Sequence, residues 1–230
     1  MRFSKRVSPI IALPLVIIAA ACTTDSARAP TVMTRAEDGR RVFVQVDKPR
    51  IPPVEDGHWT EAQRAYLEPF ERSGRVFDVF KTFARHPDLA KNFHPVYQYI
   101  NDGASTLPPR HRELLILRIG WLCGSEYEWS VHSYIARTVG FTDDELVRVV
   151  TGPDAPGWGA FEATLLRAVD ELYRDAFISD ATWQALSAQY NTQQLMDLVY
   201  TVGTYNMVSM ALNSWGVQLE KGMRGFPEEK

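Results

Sequence analysis

Beyond about residue 57 the apolar residues recur at spacings of three and four rather than alternating, and that period predicts helices almost throughout. Thr60 is placed to cap a helix over Glu61–Arg72. Val76, Phe77, Val79, Phe80 and Phe83 mark the apolar face of the next segment. It closes at Arg85-His86-Pro87, because the residue before a proline is pushed out of the helical region. Asp88–Ile100 follows and breaks at Asn101-Asp102-Gly103. Pro108 and Pro109 open a helix over Arg110–Leu122, where their missing amides cost nothing. Gly124 and Ser125 separate it from Glu126–Val139, which Gly140 terminates. Thr142-Asp143-Asp144-Glu145 reads as a capping box leading into Leu146–Val150. Thr151–Gly159 reads as a surface loop rich in Pro and Gly. Phe161–Tyr173, Asp180–Tyr190 and Thr192–Leu219 complete the set, with Ser179 or Asp180 and Asn191 or Thr192 as caps. Arg41–Val46 alternates and could form a short strand or arm, but no core strand is expected. The expected fold class is all-α.

Two of these helices change the picture. Leu198–Leu219 carries no charged residue and has the length of a membrane span. Its Thr, Asn, Ser, Gln and Gly residues are too polar for lipid on all sides, so a helix buried centrally or at a subunit contact fits better. Within Arg110–Leu122, Leu114–Leu122 is apolar except for Arg118, and the helix runs into another bearing Glu128 and His132. At about 100° per residue, Ser125, Glu128 and His132 fall within roughly 60° of one another. A hydroxyl, a carboxylate and an imidazole converging beside a buried apolar helix point to a site. The plainer alternative is a structural hydrogen-bonded pair between Glu128 and His132. Burial beside Trp129 would raise a carboxylate pKa and lower that of histidine.

Arg118, set in Leu-Leu-Ile-Leu-Arg-Ile, must pair if it is buried: with Glu113 or Glu126 structurally, or with a substrate carboxylate. Trp129, Tyr134 and Tyr205 are candidate pocket aromatics, although aromatics at helical spacing usually belong to a core. His86, His94 and His111 have no motif around them and read as surface or capping residues. Glu128 and His132 with Glu113 could offer three metal ligands. The usual helical pairings His-x-x-x-His and Glu-x-x-His are absent, so no metal is expected.

The start of the chain bears on destination. Arg2, Lys5 and Arg6 form a basic segment, and Val7–Ala21 an apolar one too short and proline-broken to span a membrane well. Ala19-Ala20-Ala21-Cys22 then offers the small residues of a cleavage site, and a cysteine directly after them resembles a bacterial lipobox, with Ala19 at the position where such boxes usually carry Leu. Residues 1–21 are thus expected to be a signal peptide, with Cys22 lipidated as the first mature residue. Plain secretory cleavage near Ala21 is the alternative. The protein is expected to be exported and anchored to the bacterial envelope, on the periplasmic side where an outer membrane exists. Residues 22–56, rich in Pro, Arg, Asp, Thr and Ser, read as a flexible tether ahead of a domain over 57–225.

Removing residues 1–21 takes three of the 25 Lys and Arg and none of the 28 Asp and Glu, so the net charge falls from −3 to about −6. With no cationic cluster, nucleic acid is not an expected partner. Of the two cysteines, lipidation of Cys22 would leave Cys123 without an intrachain partner, a small buried hydrophobe rather than half of a disulfide.

Arg112-Glu113-Leu-Leu-Ile-Leu-Arg118 followed by Ser125-Glu-Tyr-Glu128-Trp-Ser-Val-His132 resembles the carboxymuconolactone decarboxylase family, which includes the AhpD-type alkylhydroperoxidases. The resemblance runs from about Phe80 to Tyr205. It implies an AhpD-like all-α fold, ring-like homotrimers or homohexamers, and a site near subunit contacts. The peroxidase branch carries a Cys-x-x-Cys pair at the positions held here by Ser125 and Glu128. Without an attacking thiolate and a resolving thiol, dithiol peroxide reduction is not expected. Glu113 and His132 match the outer members of that branch's proton relay, and Tyr127 stands where it has another histidine. The decarboxylase branch instead implies cofactor-free acid/base chemistry on a small carboxylated or lactone-like substrate. His132, Glu128 and Glu113 would be catalytic, and Arg118, Ser125, Tyr127, Trp129 and Tyr205 would contact substrate. An antioxidant protein, or a non-enzymatic envelope binding or scaffold protein, are the alternatives.

Overall fold

The computed structural model describes residues 34–35, 41–42, 46–72 and 74–227, all within the compact unit that spans 31–230. The signal segment, Cys22 and most of the tether lie outside the described residues. A two-residue antiparallel pair, β1 (Thr34–Arg35) with β2 (Arg41–Val42), is the only ladder among them. The rest of the architecture is helical: α1 (Glu61–Arg72), α2 (Asp78–Phe83), α3 (Pro87–Asn101), α4 (Pro109–Leu122), α5 (Glu126–Thr138), α6 (Asp143–Thr151), α7 (Ala160–Asp175), α8 (Asp180–Ser187) and α9 (Thr192–Trp215).

The helix ends follow their local chemistry. Thr142 and Glu145 cap α6 reciprocally, Ser179 accepts from the Thr182 amide at the start of α8, and Asn191 from that of Gln194 at the start of α9. His86 caps α3 through its ring, accepting from Leu89 N at 3.2 Å. The expected surface loop after α6 is tucked in at Gly152 and Ala155, which are buried.

α4 is the axis of the molecule. Every residue from Arg112 to Leu122 is buried, and the helix packs most extensively on α5, α7 and α9. From Leu114 onward the helix is apolar on every side except at Arg118, so it has no solvent face and takes the centre. Leu114, Leu115, Ile116, Leu117 and Ile119 are wholly inaccessible, and truncating one to alanine costs about 2–5 kcal/mol.

α9 does not take that central place. It buries Leu195, Leu198, Val202, Tyr205 and Leu212 but exposes Met196, Tyr200, Met207 and Met210. Among the described residues, no helix is long and apolar enough to cross a membrane. The uncharged stretch also stops being helical at Gly216, earlier than the predicted Leu219. Gly216 adopts φ +69°, and a Cβ there would meet the Val46 side chain and the backbone of Lys48 and Arg50. The chain before α1 crosses the end of α9 at this point, with Arg50 N and Ile51 N both donating to Trp215 O.

Two smaller apolar clusters flank the main core. One joins Val54, Leu67, Phe80 and Ala84 with Phe70 and Tyr97; the other joins Tyr127, Val208, Leu212 and Val217. Between them and the α4 core lies a cavity.

Candidate active site

α4 and α5 run side by side, and that packing brings Glu113 of one against His132 of the other. Glu113 Oε2 lies 2.7 Å from His132 Nδ1, and Arg112 Nε donates to Glu113 Oε1 at 3.0 Å. On the far side of the ring, His132 Nε2 faces Glu128 Oε2 at 3.4 Å. The four side chains form a buried row: Arg112, Glu113, His132, Glu128. The two carboxylates sit on opposite nitrogens of one imidazole, so they do not converge on a point. Among the described residues, no group of three His, Cys, Asp or Glu side chains is arranged to hold a metal ion.

Burial by itself would raise the Glu113 carboxyl. The imidazole at Oε2 and the guanidinium at Oε1 outweigh it and hold Glu113 below its ordinary value. Burial would likewise depress His132, yet the Glu113 carboxylate, helped by Glu128, holds it above its ordinary value. This reverses the direction expected from burial alone. Glu128 moves up as expected, because burial and the Glu113 charge outweigh the pull of His132. The row thus favours an imidazolium paired with Glu113 and a Glu128 that tends toward its neutral acid.

Only the outer end of the row opens onto space. Glu128 and His132 line a cavity of about 870 Å³, whereas Arg112 and Glu113 stand behind them. That volume is in the range of small-molecule sites, about 300–1,000 Å³. The Tyr205 ring meets His132 edge-to-face, with centroids 4.9 Å apart, and its hydroxyl donates to Asn101 Oδ1 at 3.0 Å. Tyr127 lines the cavity with its ring, but its hydroxyl is committed: it donates to Glu220 Oε1 at 2.7 Å and accepts from Val79 N at 3.2 Å. Tyr134 reaches the cavity from an exposed position.

Three predicted substrate contacts lie elsewhere. Arg118 points away from the cavity, and its partner is neither Glu113 nor Glu126. Nε and Nη2 grip both oxygens of Asp170 at 2.7 and 2.9 Å, while Nη1 donates to Val149 O and Val150 O, each at 2.8 Å. Gly152, at φ +101°, makes room for this guanidinium, since a Cβ there would stand 2.6 Å from Nη2. Trp129 belongs to the core, in contact with Trp121 and Phe226. Ser125 is wholly buried at the start of α5, off the cavity, and its hydroxyl has no hydrogen-bond partner among the described residues.

Sequence reasoning missed the opposite wall. Tyr66 and Phe70 of α1, Phe80 of α2, and His94 and Tyr97 of α3 line it. His94 is therefore not a surface or capping residue. Its ring packs against Tyr66, Phe70 and Tyr97, and burial lowers its pKa. Burial also pushes the Tyr97 hydroxyl up to about 12. His111, read the same way, bonds the Tyr190 hydroxyl at 2.7 Å through Nδ1. The i,i+4 pair Tyr66/Phe70 and the i,i+3 pair His94/Tyr97 were visible as helix faces, but nothing local said that the two faces meet. Cys123 is buried, and its thiol donates to Asn206 Oδ1 at 3.1 Å.

The model of the carboxymuconolactone decarboxylase family matches residues 87–171, which span the row and the α4 axis. No curated protein matches the chain. Several solved structures share its fold. An AhpD-core, peroxidase-related protein from Ralstonia eutropha JMP134 aligns with TM-score 0.66 and 17% identity, over 75% of this chain and 93% of that one. A peroxidase-related protein from Silicibacter sp. TM1040 aligns with TM-score 0.63 and 18% identity, over 85% and 95%. The debrominase Bmp8, solved in complex with 2,3,4-tribromopyrrole, aligns with TM-score 0.64 and 14% identity, over 76% and 94%.

Proposed function

We propose that the chain, whose residues 87–171 match the carboxymuconolactone decarboxylase family model and which shares the AhpD-like fold, is a cofactor-free acid/base enzyme of decarboxylase type. Its substrate is a small carboxylated or lactone-like compound held in the cavity. One observation carries the reading: a buried row of Arg112, Glu113, His132 and Glu128 ends, with two proton-bearing groups, on a void of ligand size.

The chemistry needs no redox partner. When the bond to the substrate carboxylate breaks, carbon dioxide leaves and the bonding pair passes into the conjugated carbonyl of the substrate. Glu128 or His132 then delivers a proton to carbon, and solvent replaces it. Glu113 does not touch substrate in this scheme. It stabilises the imidazolium and fixes the ring's orientation, as a positioning residue. Dithiol peroxidase chemistry has little support, since Ser125 and Glu128 occupy the thiol positions and the Cys123 thiol is buried against Asn206.

The test is a panel of small carboxylic acids and lactones incubated with the full chain in deuterated water and read by mass spectrometry. The expected result is deuterium at carbon, or loss of carbon dioxide, with wild type and not with still-folded His132→Ala or Glu128→Gln. Equal conversion by the variants, or none by wild type, would overturn the reading. Retention of a ligand without any conversion would favour the binding or scaffold alternative.

The same proposal places the protein in the envelope, anchored through Cys22, which incorporation of a fatty-acid probe and its loss in Cys22→Ser would test. It also takes the protein as a homotrimer or homohexamer. The exposed stripe Met196, Tyr200, Met207 and Met210 on α9 offers an apolar face for a second copy, and Tyr200→Glu should lower the mass seen in sedimentation.

A further inference from the structure

The cavity is asymmetric in its chemistry. Its acid/base end comes from α5, within the stretch that the family model matches, whereas much of the opposite wall comes from helices ahead of that stretch. That wall is aromatic. Phe70 stacks on Phe80 with centroids 3.8 Å apart, and Tyr97 meets Phe80 edge-on at 5.3 Å. His94 fits between Phe70 and Tyr97, at 5.2 and 5.9 Å. Ring faces and edges arranged this way favour a flat π-system over a saturated ring of equal size, because the quadrupoles complement one another.

The rim is cationic. After α9 the chain is pinned twice. Glu220 Oε1 accepts from the Tyr127 hydroxyl at 2.7 Å and from Asp78 N at 2.8 Å, and the Phe226 ring packs on Trp121 and Trp129 at 4.9 and 5.8 Å. Between these anchors Lys221 and Arg224 line the cavity, and Arg75 joins them from the segment between α1 and α2. Among the described residues, neither Lys221 nor Arg224 pairs with a carboxylate. Among the described residues, Glu128 is the only carboxylate on the cavity lining. In a chain of net charge −3, this is a local reversal of sign directed at the cavity.

We infer that the cavity takes a flat aromatic anion, with its ring along Tyr66, Phe70, Phe80, His94 and Tyr97 and its charge met by Lys221 and Arg224. The C-terminal strap, rather than Arg118, then supplies the anion site. The inference rests on the acid/base reading for what happens at the other end of the ligand, but its test does not require turnover.

The experiment is calorimetric titration of the full chain with four probes: benzoate, phenyl phosphate, benzyl alcohol and cyclohexanecarboxylate. Benzoate or phenyl phosphate should bind about tenfold or more tightly than both benzyl alcohol and cyclohexanecarboxylate, and the tighter of the two anions identifies the head group. The double variant Lys221→Ala/Arg224→Ala should remove the preference for the anion and leave benzyl alcohol unchanged. Benzyl alcohol equal to both anions, cyclohexanecarboxylate equal to benzoate, an unchanged anion affinity in the double variant, or no binding of any probe would each overturn the inference. Anion-selective binding without conversion in the deuterium panel would uphold it and sink the acid/base reading alone. Conversion without anion selectivity would do the reverse.

Discussion

Arg112 and Arg118 lie on the same buried helix, and each grips a carboxylate, yet the two ion pairs end differently. Around Arg118 every direction is closed. Asp170 of α7 takes two donors, the last carbonyls of α6 take a third nitrogen, and the group ties three helices together. Around Arg112 the charge is handed on, to Glu113, to His132 and finally to Glu128 at the cavity. The difference is one of unfilled valence. A buried ion pair in which each guanidinium nitrogen holds a fixed protein partner is structure, whereas one that terminates in protons facing a void can do chemistry.

The largest effect that would break this contrast is on rate. His132→Ala should slow proton exchange into a converted substrate by about a hundred- to ten-thousand-fold, the usual worth of a positioned general acid or base, with helix content unchanged by circular dichroism. Arg118→Ala should leave the rate per folded molecule intact. Its effect belongs to stability: a loss of about 3 kcal/mol in urea unfolding, because Asp170 and two carbonyls lose their partner. A rate loss in Arg118→Ala larger than its loss of folded protein would place both arginines in the site.

Glu113→Gln tests the coupling, and its pH dependence has a definite sign. His132 sits above its ordinary 6.5, so its contribution is full below 6.5 and fades as pH rises through the higher folded value. Glu113 sits below its ordinary 4.5, so its contribution is full above 4.5 and fades as pH falls through the lower folded value. The stability advantage of wild type over Glu113→Gln should therefore be largest between about 4.5 and 6.5 and shrink on both sides, as urea midpoints across pH would show. The smallest expected effect is a control. Thr142→Ala, at the remote capping box of α6, should cost about 1 kcal/mol and move neither rate nor His132.

Much of the fold was legible because its signals are local. The Thr142/Glu145 box, the Pro108-Pro109 opening and the apolar run Leu114–Leu122, broken only by Arg118, each specify their element within a few residues. For α9 the lack of charge pointed to burial, either centrally or at a subunit contact, and the structure rules out only the central place. Its exposed methionines and Tyr200 are apolar but face outward, and composition cannot tell an interior face from an uncovered one. In the site, Glu113, Glu128 and His132 were found because spacing and resemblance both marked them. For Arg118 the structural ion pair was one of the two readings, but its partner was missed because Asp170 lies 52 positions away, a pairing that only the packing of α4 on α7 creates. The depressed pKa expected for His132 failed similarly, since burial acts locally while the Glu113 carboxylate arrives from another helix. The aromatic wall is likewise a product of tertiary contact between α1, α2 and α3.

The measurement closest to the central claim is the titration of His132 itself, by NMR of full-length protein carrying isotope-labelled histidine, with the signal assigned by its loss in His132→Ala. The account predicts an imidazole that titrates above 6.5 in wild type and moves down in Glu113→Gln, where burial acts with less opposing charge. A His132 that titrates at or below 6.5 in wild type, or that ignores the Glu113→Gln substitution, would contradict it.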